Sequence, residues 1–131
     1  MVTEDYVSFE VAKLLKEKEF NEVCMFAYTF PDGESAILDK FYKPITNKEL
    51  DEDACVAPTH QMALKWLRKV YKIFIEVRIH FMPKVQYRSD ILEFNDLKDV
   101  QWLDDLQVLP YKDTYEEAVE EALKYTFENL I

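Results

Sequence analysis

Glycine is nearly absent from this chain: Gly33 is the single one among 131 residues. Loops that wrap backbone amides around a phosphate or an oxyanion depend on several glycines, so a Gly-rich nucleotide loop is excluded and no cofactor is expected. Cysteine is scarce too. Cys24 and Cys55 are too few for a disulfide framework, which makes a reduced, cytoplasmic protein the expectation. Apolar runs of the roughly 18 to 20 residues that a membrane-spanning helix needs are missing, so no membrane partner is expected. The opening "MVTEDYVSFE" is acidic, unlike the basic and then apolar start of a secretory signal.

What is present points to one packed domain. Hydrophobic residues make up 49% of the chain and aromatics 15%, too rich for disorder. The net charge is −10, which disfavours general affinity for nucleic-acid phosphates. The charge is unevenly spread. Residues 65–88 carry Lys65, Arg68, Lys69, Lys72, Arg78, Lys84 and Arg88 against Glu76 alone, a local +6 that leaves −16 for the rest. Either the basic segment lies among its own acidic neighbours or it marks a partner surface.

Periodicity gives the elements. Val7, Val11, Leu14 and Leu15 predict a helix over 3–18, capped by Thr3 or Ser8. "VCMFAYTF" (23–30) and "SAILDKFY" (35–42) read as strands joined by the turn "PDGE", where Gly33 supplies the positive φ. Residues 44–58 read as an acidic loop. Thr59 after Pro58 stands where an N-cap belongs, and the helix behind it is expected to bury Met62, Ala63, Trp66, Leu67 and Val70. His60, Gln61, Lys65, Arg68 and Lys69 are expected to face away. "IFIEVRIHFM" (73–82) alternates cleanly, with Ile73, Ile75, Val77, Ile79 and Phe81 toward the core; "VQYRSDILEF" (85–94) returns as a second hairpin. Residues 95–110 carry no single pattern; within them "NDLKDVQWLDDL" (95–106) suits a short helix capped by Asn95 or Asp96, with Leu97, Val100 and Leu103 inward. Thr114 and Glu117 fit a capping box for a last helix that buries Ala118, Val119, Ala122, Leu123, Phe127 and Leu130.

A shift of 52 residues lays Lys13-Leu14-Leu15-Lys16 on Lys65-Trp66-Leu67-Arg68 and Pro31 on Pro83. Val23, Met25, Ala27 and Thr29 then fall on Ile75, Val77, Ile79 and Phe81. Two αββ units are implied, and with them an α+β fold: one four-stranded, mainly antiparallel sheet with helices packed on it.

"CVAPTHQMALKWLRKVYKIFIEV" (55–77) carries the pattern C-x-A-P-T followed by K-W-L-R, and "DTYEEAVEEALKYTFENLI" (113–131) carries a Y-E-E-A helix. With the opening helix "SFEVAKLLKEKEF" (8–20), these segments resemble a family of small uncharacterised proteins of bacteriophages and prophages, many from gut anaerobes. Glu19 departs from that pattern, which has glycine there, and residues 84–110 match no part of it. The resemblance implies a phage-related, cytoplasmic setting. The family has no assigned activity, so no catalytic residue carries over.

The chemical constellations are thin. Cys55 with His60 could be a thiol and its base, but no oxyanion loop accompanies them, and the helix start that favours a thiolate disfavours an imidazolium. Cys24, Cys55, His60 and His80 lack the close pairs of like ligands seen in structural zinc sites. The carboxylate runs 51–53, 104–105, 116–117 and 120–121 fall on expected loops and wet helix faces, without the desolvation that acid–base chemistry needs. No enzyme is expected. The remaining signal is the second sheet face, with Phe26 and Tyr28 from one strand and Phe74, Arg78 and His80 from another. Left uncovered, these residues with Lys65, Arg68, Lys69 and Arg88 form a candidate partner surface. It would suit a protein partner, a second copy of the chain, or single-stranded nucleic acid stacked on aromatics. A DNA-mimicking role for the acidic remainder is a further expectation.

Overall fold

A computed structural model describes residues 4–94, 100–102 and 109–131. Among them the fold is α+β with antiparallel sheets, and the chain divides into two compact units, Met1–His60 and Gln61–Ile131.

The first unit runs α1 (Phe9–Glu17), β1 (Cys24–Thr29), β2 (Ile37–Ile45), a 3-10 turn (Asn47–Glu49) and β3 (Cys55–Val56). Helix α1 starts later than periodicity predicts. Ser8 is its cap, with Oγ accepting from the Val11 N–H at 3.2 Å. The segment before it is held as extended chain: Val7 N–H donates to the Pro58 carbonyl, and Tyr6 bridges to Thr59. The helix ends in a Schellman motif. Phe20 N–H donates to Leu15 O and Glu19 N–H to Lys16 O, both at 3.0 Å, while the buried Phe20 and Leu15 supply the usual apolar accompaniment. Glu19 sits at φ 65°, the left-handed position that glycine normally takes.

Strand β1 is the centre of this sheet, with β2 on one side and β3 on the other. The short β3 lies inside the stretch expected to be loop; two residues are too few to show a period. Between Cys24↔Ile45 and Phe26↔Lys40 the register slips, so residues 41–44 of β2 stand against Met25 alone. The irregularity interrupts the expected inward set: Ala27 is buried, but Val23 and Met25 are exposed. Two polar side chains pin the connections. Buried Asn47 donates from Nδ2 to Phe20 O at 2.7 Å and accepts at Oδ1 from the Val56 N–H at 2.9 Å. The Lys16 ammonium donates to the carbonyls of Asp51 (2.8 Å), Glu52 (3.3 Å) and Ala54, so the acidic loop closes on a cation through its backbone.

The second unit follows His60, the first residue of α2 (His60–Val70). It continues with β4 (Ile73–His80), β5 (Gln86–Phe94), β6 (Val100–Trp102) and α3 (Tyr115–Tyr125), which widens into a π-helical stretch, Thr126–Leu130. The α2 stripe is rotated from the expected one. His60, Ala63, Leu64, Trp66 and Leu67 are buried, whereas Met62 and Val70 are exposed. At about 100° per residue, His60, Ala63, Leu64 and Leu67 share one face, and Met62 falls about 200° round from His60. Lys72, just beyond α2, takes φ 59°, so this helix too is followed by a left-handed residue that is not glycine.

β4 and β5 pair without a slip from Ile73↔Glu93 to His80↔Gln86, and β6 pairs on the far side of β5. Of the stretch where a short helix was expected, Val100–Trp102 form a strand instead, and the rest, Leu97 and Leu103 included, lies outside the described residues. Thr114 caps α3, its Oγ accepting from the Glu117 N–H at 3.1 Å. α3 covers the Ile73, Ile75 and Val77 face: Ser89 Oγ donates to Ala118 O at 2.9 Å, and Ile73, Ile91, Leu109 and Ala122 form a core with Tyr71, Ile75 and Tyr125 against it.

Among the described residues the strands thus make two three-stranded sheets where one four-stranded sheet was expected. Both edges of β1 are occupied, by β2 and β3, and both edges of β5, by β4 and β6. Each unit keeps the α-β-β order that the 52-residue shift implies. The centre is the first strand in one sheet and the middle one of its three in the other.

Candidate interaction surface

In the first unit, the candidate residues Phe26 and Tyr28 share a face of β1 with Cys24, and Phe30 follows in line. The residues before α1 and its first turn cover that face. The Tyr6 ring lies 4.5 Å from Phe26, and Phe9 packs edge-on against Tyr28 (5.6 Å) and Phe30 (5.5 Å). Tyr28 Oη donates to Val7 O at 2.7 Å. Phe26 and Tyr28 are half-buried and packed rather than displayed.

The second unit gathers three other candidates. Residues directly opposite in an antiparallel pair project on the same side. One face of β4–β5 therefore holds Phe74 with Leu92, Glu76 with Asp90, Arg78 with Arg88 and His80 with Gln86. Two of these pairs set like charges opposite each other, and the sheet compensates on the diagonal. Arg78 Nε lies 2.5 Å from Asp90 Oδ2, and Arg88 Nη2 lies 3.9 Å from Asp90 Oδ1. Asp90 is buried and most of Arg88 is covered, but the Arg78 side chain stays 62% exposed. The Arg88 guanidinium lies 5.6 Å over the Tyr111 ring, which also sits 5.1 Å from His80. Arg78, His80 and Arg88 thus come together around two residues that sequence reasoning passed over, Asp90 and Tyr111. Asp90 had a signal, since Arg88-x-Asp90 puts both on one strand face; Tyr111 had none.

Lys65, Arg68 and Lys69 lie on α2, with Lys65 and Lys69 exposed and Arg68 half-buried. They occupy a helix, whereas the Arg78, His80 and Arg88 group is built on strands.

The end of the second hairpin is apolar and open to solvent. Ile79 is 48% exposed, Phe81 65%, Met82 76% and Val85 51%. Ile79 and Phe81 belong to the alternation expected to face the core, but that face is buried only at the start of β4 and opens toward His80. Beside this tip runs the outer edge of β4, the border strand of the order β4-β5-β6.

The chemical candidates are placed as follows. Cys55 stands opposite Tyr28, four residues along β1 from Cys24, about 13 Å away by strand rise. Burial pushes each thiol up to about 11, with Glu22 adding to the rise at Cys24 and Lys16 and Lys13 opposing it at Cys55. Both are protonated thiols at neutral pH, unlike an activated nucleophile. Among the described residues no three or more His, Cys, Asp or Glu side chains converge on a point that could hold a metal. A cleft of about 550 Å³ in the first unit is lined by Phe30, Phe41, Ile45 and Leu50 together with Glu49, Asp51 and Asp53.

Comparisons with protein-family models, with curated proteins and with solved structures return no match. No helix among the described residues is long and apolar enough to cross a membrane.

Proposed function

We propose that this chain works by protein contact through the end and outer edge of its second hairpin, as a non-enzymatic binding or self-associating module in the phage-related setting that its motif resembles. The observation that carries this reading is the hairpin end. Ile79, Phe81, Met82 and Val85 expose large apolar surface within seven residues, and clustered exposure of that kind marks interaction sites. The flanking charges favour a protein over a nucleic acid. Asp90 already engages Arg78 and Arg88, so the most compact group of cations on the sheet is partly neutralised from within. Both thiols are protonated and packed, which favours contact over covalent catalysis.

The test is a double substitution, Phe81→Ser with Met82→Ser. Both side chains are exposed, so the unfolding midpoint is expected to stay where it is while self-association, or capture of a binding protein, is lost. A double variant that changes no interaction of the wild type overturns the reading.

A further inference from the structure

We infer that β4 pairs antiparallel with β4 of a second copy about a two-fold axis at Val77, joining two three-stranded sheets into one of six strands. The inference rests on the protein-contact reading and names its partner.

The edge is prepared for pairing. Native border strands are normally blunted by proline, by charged side chains (lysine above all), by bulges or by a covering element, and the charges on this one, Glu76 and Arg78, are of opposite sign. Ile73–His80 contains neither proline nor lysine and holds its register with β5 through eight consecutive pairs. Its other edge carries no strand among the described residues.

The sequence of β4 is complementary to itself in one register. With the axis at Val77, Glu76 stands opposite Arg78 of the second copy, and Arg78 opposite the second copy's Glu76. Ile75 meets Ile79 of the second copy, and Phe74 meets its His80. Every pair matches in kind, and the two-fold repeats each one, as an isologous interface requires. Moving the axis one residue either way sets Glu76 or Arg78 opposite its own copy. Within one chain, Glu76 faces Asp90 and Arg78 faces Arg88. A second copy would give each of these edge charges an opposite charge on its other side. Arg78 keeps this possibility open. Its Nε is directed to Asp90, and the side chain remains 62% exposed. The same contact would cover part of Phe74 and Ile79, both large apolar side chains left in water. Addition of a strand at an open edge supplies main-chain hydrogen bonds, and the paired side chains supply the choice of partner.

The experiment is sedimentation equilibrium of the full chain over the micromolar range. A dimer is expected. Glu76→Arg, an exposed substitution, is expected to weaken it by about tenfold or more, since both symmetry-related pairs turn repulsive. Arg78→Glu is expected to do the same, and an equal mixture of the two variants is expected to dimerise again because every pair across the axis regains opposite charges. Arg78→Glu also sits beside Asp90, so an independent readout is Val77→Cys under mild oxidation. It is expected to give a disulfide-linked dimer, whereas Ile75→Cys, which faces Ile79 of the second copy, is expected to give none. A dimer indifferent to Glu76→Arg, or one in which Val77→Cys does not cross-link, overturns the register. A strictly monomeric wild type overturns the inference itself. The contact reading then stands or falls separately, on what the Phe81 and Met82 variant does to capture of another protein.

Discussion

β2 and β4 each border a three-stranded sheet, yet only β2 carries lysine, proline and a register slip, three of the features that keep a border from pairing. It holds Lys40, Lys43 and Pro44, and its register with β1 slips across residues 41–44. β4 is straight in register and has none of these. The interiors differ as well. The first unit ties its connections with polar side chains, Asn47 and Lys16. The second packs hydrocarbon under α3 on one sheet face and places a buried carboxylate, Asp90, between two arginines on the other. The two sheets thus differ at the borders β2 and β4. The difference comes from a few residues at the border rather than from the elements themselves.

The largest expected effect that tests this contrast comes from Asn47→Ala. It removes both hydrogen bonds of a buried amide and leaves the Phe20 carbonyl and the Val56 N–H without their partner, a loss of about 3 kcal/mol. Denaturant unfolding measures it, and amide exchange is expected to locate the loss in Met1–His60. Equal loss of protection in β4 and β5 would break the distinction between the units. Next comes alkaline pH. Cys24 and Cys55 both belong to the first unit, and both have folded-state pKa values raised from 9.0 to about 11. A raised thiol pKa means that the folded chain holds its proton more tightly than the unfolded chain. That contribution is complete below about pH 9 and is lost as pH climbs toward 11. Exchange protection of β1 and β3 is expected to fall over that window before that of β4 and β5, and a Cys24→Ala, Cys55→Ala variant is expected to flatten the decline. The smallest effect has the opposite sign. Glu19→Gly and Lys72→Gly relieve left-handed conformations that cost a non-glycine residue about 1 kcal/mol. Each is expected to raise thermal stability slightly, by similar amounts in the two units. Stabilisation at one site only would show that the two helix ends are not equivalent.

The regular parts of this architecture were legible because they repeat. The strand from Ile73, the stripe of α3 and the capping threonine at 114 all carry local signals, and the structure has these elements where the sequence puts them, although the inward face of β4 gives out before Ile79 and Phe81. The partition into two sheets was not legible. It turns on which edge accepts a third strand, and β3 and β6, with two and three residues, are too short to declare a period. The α2 stripe went astray for a related reason: Trp66 and Val70 have apolar neighbours at more than one helical spacing, and burial of His60 selects the face. Of the candidate surface, alternation alone was enough to group Arg78 with His80. The covering of Phe26 and Tyr28 by Tyr6 and Phe9 depends on where the N-terminal segment runs, which no pattern within β1 encodes.

The cradle around Lys16 has a practical consequence. Its ammonium donates to carbonyls in the backbone of 51–54, a stretch that otherwise reads as freely solvated acid. An amine-directed reagent in a footprinting experiment is therefore expected to meet this lysine slowly while the first unit is intact, and readily once the acidic loop has let go. The lag between Lys16 and an exposed lysine such as Lys65 becomes a clock for local opening, readable by mass spectrometry without altering a single residue.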